Sequence, residues 1–184
     1  MKISLVSTLI TLALVGCATR SPLAPLPVVS YVDLPRFMGD WFVIASIPTF
    51  IEKDAYNAVE NYKLDTDGSI ATTFTFRKNA FDGPEKVYRP RGFVLDRNSN
   101  AVWGMRFIWP IKADYRIAHV DQNYQETVIG RESRDYVWIM ARTRQLAAAD
   151  FCRLQSLVAK AGYDVARLRQ VPQVTDRPPI VCGL

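Results

Sequence analysis

Few side chains in this 184-residue chain are of the types that break bonds or hold metals. It has one histidine, His119, and three widely separated cysteines, Cys17, Cys152 and Cys182. A zinc site needs clustered His and Cys ligands, so multi-histidine metal chemistry is excluded and neither a metal nor a cofactor is expected. A serine or cysteine nucleophile would need a base, and His119 is the only histidine. Carboxylates such as Glu60 or Asp114 can move protons, but no spacing singles out a pair for acid–base work. No residue is put forward as catalytic.

Glu60 is the most informative carboxylate. On an extended segment it shares a face with Ala58 and Tyr62, because successive side chains point to opposite faces. The parity that turns Tyr62 inward therefore turns a carboxylate inward, which is costly unless it is paired. Arg77, Arg106 or Arg116 can supply the partner. Alternatively Glu60 sits at a wet rim, or a bulge turns it outward. His119 shares the face of Tyr115 and Ile117 near a strand end, where a structural role is expected ahead of a ligand contact.

The elements that must position these groups are short and extended. Segments rich in β-branched and aromatic residues recur at 41–46, 57–64, 69–77, 86–95, 101–108, 114–120, 124–130 and 135–142. Asp67-Gly68 is a strong hairpin signal, and clusters such as Asp82-Gly83-Pro84 separate other runs. Eight strands in a meander with no helix between them predict an antiparallel up-and-down barrel or a sandwich. One helix follows, with Ala147, Phe151, Leu154, Val158 and Ala161 at helical spacing and Gly162 at its C-terminal cap. A short strand at 167–171 and a proline-containing tail complete the chain. The composition, 49% hydrophobic and 22% charged with 9 Gly and 11 Pro, is that of one globular domain. It excludes a disordered, collagen-like or polytopic membrane chain. The net charge of +5 is spread rather than clustered, so no nucleic-acid partner is expected, although anionic head groups can attract it weakly.

Met1-Lys2 followed by the apolar run Ile3–Val15 has signal-peptide length and is too short for a comfortable membrane span. It ends Leu14-Val15-Gly16-Cys17, which resembles the bacterial lipobox. The resemblance implies a signal peptide over 1–16, lipidation of Cys17 (with palmitate among the acyl groups) and a tether over 17–32. Ala18 stands where retention in the inner membrane usually requires Asp. By analogy, this implies an outer-membrane anchor with the domain facing the periplasm.

Gly39-Asp40-Trp41 at the first strand is similar to the lipocalin G-x-W motif. Val120 to Tyr124 resembles the second lipocalin element, although Gln122-Asn123 departs from the acidic or Thr-Asp form common there. Asp135 to Arg142 resembles the third, with its arginine closing the last barrel strand. The ordered set identifies residues 33–174 as similar to the bacterial outer-membrane lipocalins, relatives of apolipoprotein D, with 175–184 as a tail. The implied fold is all-β: an eight-stranded antiparallel barrel with one C-terminal α-helix packed outside. Gly39, Trp41 and Arg142 then close the floor and are structural. With Cys17 lipidated, Cys152 and Cys182 are expected to form a disulfide, the alternative being two free thiols.

Such a barrel leaves room for side chains or one small ligand. Inward parity nominates Glu60, Tyr62, Phe74, Phe76, Tyr88, Trp103, Met105, Phe107, Tyr115, Ile117 and Trp138 as calyx lining, with plain core packing as the competing role for each. Burying a dozen methylenes at about 0.8 kcal/mol each recovers on the order of 10 kcal/mol before ordering costs. The expected function is anchored binding or carriage of fatty acids or lysophospholipids in the bacterial envelope, with a homodimer admitted as a further partner. The alternatives are an anchored structural or partner-binding barrel with a filled interior and, less favoured, an envelope enzyme.

Overall fold

The computed structural model describes residues 24–108, 111–175 and 178–183. The expected signal peptide and the Cys17 lipidation site lie outside the described residues. The chain runs α1 (Leu34–Phe37), β1 (Gly39–Ile47), β2 (Ala55–Leu64), β3 (Ser69–Lys78), β4 (Glu85–Tyr88), β5 (Arg91–Val94), β6 (Val102–Ile108), β7 (Ile111–Val120), β8 (Glu126–Gly130), β9 (Val137–Ala141), α2 (Ala148–Lys160) and β10 (Arg169–Gln170). Neighbouring strands pair antiparallel, and β9 returns to β1 from Phe42 opposite Ala141 to Ile47 opposite Val137. The sheet is therefore a closed barrel and not a sandwich.

Eight barrel positions are occupied, as expected, but one of them is broken. The run 86–95 divides into β4, which pairs with Phe74–Arg77, and β5, which pairs with Ser69–Ala71. Pro90 lies between them. It has no N–H to continue the ladder, although its carbonyl still accepts from the Thr72 amide at 3.1 Å. The last two barrel strands are shorter than the sequence pattern suggests, and Tyr124 sits in the preceding turn with φ +58°. β10 adds to β1 beside the barrel, Ala45 opposite Gln170.

Alternation along the strands makes two apolar cores. The inner one fills the lower barrel around Phe37, Trp41, Tyr62, Ile70, Trp103 and Ile117. The outer one lies between the wall and α2, where Phe151, Leu154 and Val158 meet Ile44, Ile47, Val137 and Ile139. Gly162 ends α2 with φ +92°, a left-handed conformation that glycine adopts without strain. Cys152 and Cys182 are bonded at 1.99 Å with Cα atoms 5.5 Å apart, so the expected disulfide is present. The tail is docked rather than loose: the Gln170 side-chain amide donates to the Ile180 carbonyl at 2.7 Å and accepts from the Ile180 amide at 2.9 Å.

A bulge corrects one expectation. Ile117 pairs with Ile129, and His119 pairs with Val128, so register shifts between them. Val128 belongs to the outer core, and partners in a ladder point the same way. His119 therefore leaves the face of Tyr115 and Ile117 and points outward. Burial, with Arg153 second, holds its imidazole below the usual range against Asp121 and Glu126.

Candidate functional site

The barrel's closed end is built from the two ends of the motif set. Asp33 caps α1 by accepting from the Arg36 amide at 3.3 Å, and the single turn that follows lays Phe37 against Trp41, ring centroids 5.0 Å apart. The Trp41 indole donates to the Phe37 carbonyl at 2.8 Å. Arg142 stacks its guanidinium 3.8 Å from the centre of that indole. It donates to the carbonyls of Asp40 and Met38, both at 2.7 Å, of Arg36 at 2.9 Å and of Tyr124 at 3.3 Å. A planar fork of donors suits four converging carbonyls in a way that a lysine could not. Gly39 serves the floor for a reason other than close packing. A methyl group on its Cα would meet nothing nearer than Arg142 Nη1 at 3.5 Å, whereas its φ of +93° is what demands glycine.

Above this floor the barrel is hollow. A cavity of about 330 Å³ opens at the end opposite Trp41. Of the eleven nominated residues, Glu60, Phe74, Tyr88, Met105, Phe107, Tyr115 and Trp138 line it. The other four do not reach its surface. Tyr62, Trp103 and Ile117 are fully buried in the inner core, where Trp103 stacks on Tyr115 at 5.2 Å. Phe76 points inward too but is covered by Phe74 and Tyr88, at centroid distances of 5.3 and 6.2 Å. Parity places each of these residues on the right face and says nothing about its height in the barrel.

The strand pattern also missed part of the wall. Thr49, Phe50, Ile51 and Glu52 come from the connection between β1 and β2, and Arg131 and Tyr136 from that between β8 and β9. Loops carry no alternation that could have found them, except Tyr136, which falls in the segment 135–142 on the face of Trp138. Thr72, Pro90, Ala113 and Asp114 complete the lining. Parity could have found two of these, since Thr72 shares the face of Phe74, and Ala113 opposes Met105. Phe50 at 87% exposure and Phe107 at 54% leave an apolar rim.

The polar groups of the cavity divide by partner. Asp114 faces Arg116 at 3.1 Å, and Arg131 faces Asp135 at 3.1 Å. Among the described residues, Glu60 has no arginine partner. Arg77 turns to the Gly83 carbonyl, Arg106 to the Phe93 ring and Arg116 to Asp114, and the Glu60 carboxylate is bonded to the Tyr62 hydroxyl. Tyr62 in turn meets the Tyr115 hydroxyl at 2.5 Å. Burial pushes Glu60 up to about 7, opposed by the Tyr62 hydrogen bond and assisted by the charge of Glu52. Burial and that neighbouring carboxylate hold both phenols well above their usual range. Glu52, 6% exposed, accepts from the Thr49 amide at 3.0 Å and from the Trp138 indole at 3.1 Å. Burial raises it too. Among the described residues, no group of three or more His, Cys, Asp or Glu could hold a metal.

Residues 32–173 match the lipocalin-like domain family. The chain is 30% identical over 163 residues to temperature-induced lipocalin-1 of Arabidopsis thaliana, covering 84% of this chain and 86% of that one. It is 23% identical over 159 residues to the outer membrane lipoprotein Blc of Escherichia coli K12, covering 86% and 89%. Among solved structures, insecticyanin from the tobacco hornworm superimposes with a TM-score of 0.66 at 12% identity, over 83% of this chain and 87% of that one; this is a likeness of fold. The strand order, the packed floor and the match over most of the length agree: the chain belongs to the lipocalin family.

Proposed function

We propose that this chain is a membrane-anchored, non-catalytic carrier that holds the alkyl portion of a fatty acid or lysophospholipid above the Trp41 floor. The observation that carries the reading is the hollow upper barrel: about 330 Å³, walled mainly by aromatic and aliphatic side chains and open at one end. At about 30 Å³ per small group in a condensed phase, that volume takes on the order of ten methylenes. Their burial contributes about 8 kcal/mol at about 0.8 kcal/mol each, before ordering costs. Glu60, Phe74, Tyr88, Met105, Phe107, Tyr115 and Trp138 are the proposed contacts, joined by Phe50 and Tyr136 at the mouth. A barrel filled solid with its own side chains would leave no such space.

The path of the N-terminal segment supports anchoring with the mouth toward the membrane. Val32 donates to the Ser99 carbonyl at 2.7 Å and Val29 to that of Ile117 at 3.1 Å. Farther back, Arg134 donates to the Ala24 carbonyl at 2.7 Å. The segment thus climbs the outside of β7 from the closed end to the loop beside the open end. From Ala24 the seven residues back to Cys17 reach at most about 25 Å. A lipid on Cys17 therefore holds the mouth near the bilayer, with its exposed Phe50 and Phe107. One relative is named an outer membrane lipoprotein, and an outer-membrane anchor with the barrel in the periplasm is the location we propose.

Mass spectrometry of lipids that co-purify with tag-free protein from the native envelope tests this directly. One acyl-chain lipid per protein is expected. A lipid-free protein whose Trp138 fluorescence shows no saturable response to added lipid overturns the carrier reading, and retention of a Cys17→Ser variant in the membrane fraction overturns the anchor.

A further inference from the structure

The charged groups of the cavity do not balance. Four of them line it, and two have ionic partners, Asp114 with Arg116 and Arg131 with Asp135. The remaining two are both acidic. Neither Glu52 nor Glu60 makes an ion pair among the described residues; Glu52 is buried on the β1–β2 connection, and Glu60 lines the wall from β2. Buried charges are ordinarily paired or bound to a metal, because isolation in an apolar medium is expensive.

The hydrogen bonds around Glu60 have a direction. A phenol has one proton to donate. Tyr62 gives its own to Glu60, so the Tyr115 hydroxyl must be the donor in the 2.5 Å contact with Tyr62. Both phenolic protons are then used, and what remains on the cavity side is acceptor capacity: the second Glu60 oxygen and the lone pairs of Tyr115. A separate observation agrees. Thr72 is 3% exposed and lines the same cavity, and its hydroxyl has no hydrogen-bond partner. Thr72 lies opposite Tyr62 in the ladder between β2 and β3, while Glu60 lies opposite Phe74 and Trp41. The orphaned hydroxyl and the carboxylate are therefore diagonal neighbours on adjoining strands, with Thr72 one inward position nearer the floor than Glu60. The cavity walls include the rings of Phe74, Tyr88, Tyr115 and Trp138, whose faces attract cations.

We propose that the inner end of the cavity is a subsite for an ammonium group, so that the ligand is an amphiphile with an amine-bearing head seated between Glu60, Thr72 and the aromatic walls and its alkyl chain directed to the mouth. This rests on the reading that the cavity holds an amphiphile, and it narrows the class: amine-bearing lipids are preferred to free fatty acids, whose carboxylate would face two carboxylates already present. An ammonium supplies the missing positive charge to Glu60 and donates to the Thr72 hydroxyl. The groups facing Glu60 are Tyr62 from β2, Tyr115 from β7 and Glu52 from the β1–β2 connection, with Asp114 and Arg131 farther along the cavity wall and each already paired. Since Glu60 titrates near 7, the preference strengthens as pH rises through that value, while the amine, with an ordinary pKa near about 10, stays charged.

Titration of Trp fluorescence with dodecylammonium, dodecan-1-ol and dodecanoate, all below micelle formation, tests the subsite in the full-length protein. At pH 8.5 the ammonium is expected to bind about tenfold more tightly than the alcohol and the alcohol more tightly than the carboxylate, with the first ratio shrinking toward unity by pH 5. Glu60→Gln is expected to remove most of that ratio and its pH dependence. Thr72→Val, which keeps the charge, is expected to weaken ammonium binding by a few-fold. Alcohol binding with no ammonium preference, or a preference that Glu60→Gln and Glu52→Gln both leave unchanged, overturns the subsite alone. Failure of all three probes to bind overturns the carrier reading and the subsite with it.

Discussion

The lower and upper halves of this barrel are made by the same strands with the same alternation, yet they are finished differently. Below, the inward side chains are large and meet one another: Phe37, Trp41, Tyr62 and Trp103 form a continuous set of ring contacts, with Arg142 satisfying four carbonyls beneath them. Above, the strands diverge from filled core to open space, one of them breaks at Pro90, two carboxylates have hydrogen bonds but no cation opposite them among the described residues, and the Thr72 hydroxyl has no partner. Complete satisfaction at the floor fixes the fold. Incomplete satisfaction above it is where a second molecule has something to contribute.

If that division holds, mutations on the two sides differ in what they damage. Trp41→Ala removes the floor plug and is expected to cost about 3–5 kcal/mol, seen as a lower denaturant midpoint with an unchanged slope. Replacing both Cys152 and Cys182 with Ser releases a 30-residue closure and is expected to cost about 3 kcal/mol in the same measurement. Ligand affinity should be unaffected, because the bridge joins the helix to the tail outside the barrel.

Glu60 gives a third, pH-dependent contrast. Its folded-state pKa near 7 lies above the ordinary value of 4.5, so the folded state holds the proton more tightly than the unfolded chain. The stabilisation that proton provides is fully present below about pH 4.5 and is lost as pH rises through 7. Glu60→Gln is expected to flatten this slope and to raise the stability of ligand-free protein at pH 8 by on the order of 2 kcal/mol, in thermal melts across that range. Smallest of all, Phe107→Ser at the exposed rim should shift stability by less than about 0.5 kcal/mol while weakening binding of an alkyl probe several-fold. A large stability loss from Phe107→Ser, or a large affinity loss from the cysteine pair, would erase the distinction between the halves.

Most of the fold was legible in the sequence because it rests on local patterns. Alternation in 69–77 and 101–108, the Asp67-Gly68 turn and the helical spacing from Phe151 to Val158 each report an element without knowledge of its neighbours. The G-x-W and Arg142 ends of the motif set located the floor. The site was legible only in part, for three physical reasons. Parity gives the face of a residue and not its height, so Tyr62, Trp103 and Ile117 were grouped with Tyr115 and Trp138 although they lie beneath the cavity. Two bounding walls are loops, and Glu52 and Arg131 carry no period to betray them. Finally, a bulge is one residue inserted without a composition signal, and the one before His119 reversed the face of the only histidine. Height was only partly recoverable: distance from the Trp41 end sets Tyr62 below Glu60 and Trp103 below Met105 and Phe107, but Trp103 lies opposite Tyr115, which lines the space, and Phe76 lies above Phe74, which also does.

The central claim is that the upper barrel is an empty volume awaiting an alkyl chain, and filling it from within is the most direct test. Ala113 lies on the cavity wall, so Ala113→Trp places an indole in the void without displacing the packed floor. Calorimetric titration with dodecan-1-ol is expected to give one binding site per chain in the unaltered protein and none in the variant, with the melting temperature of the variant equal or higher. Equal binding by both proteins, or none by either, would contradict it.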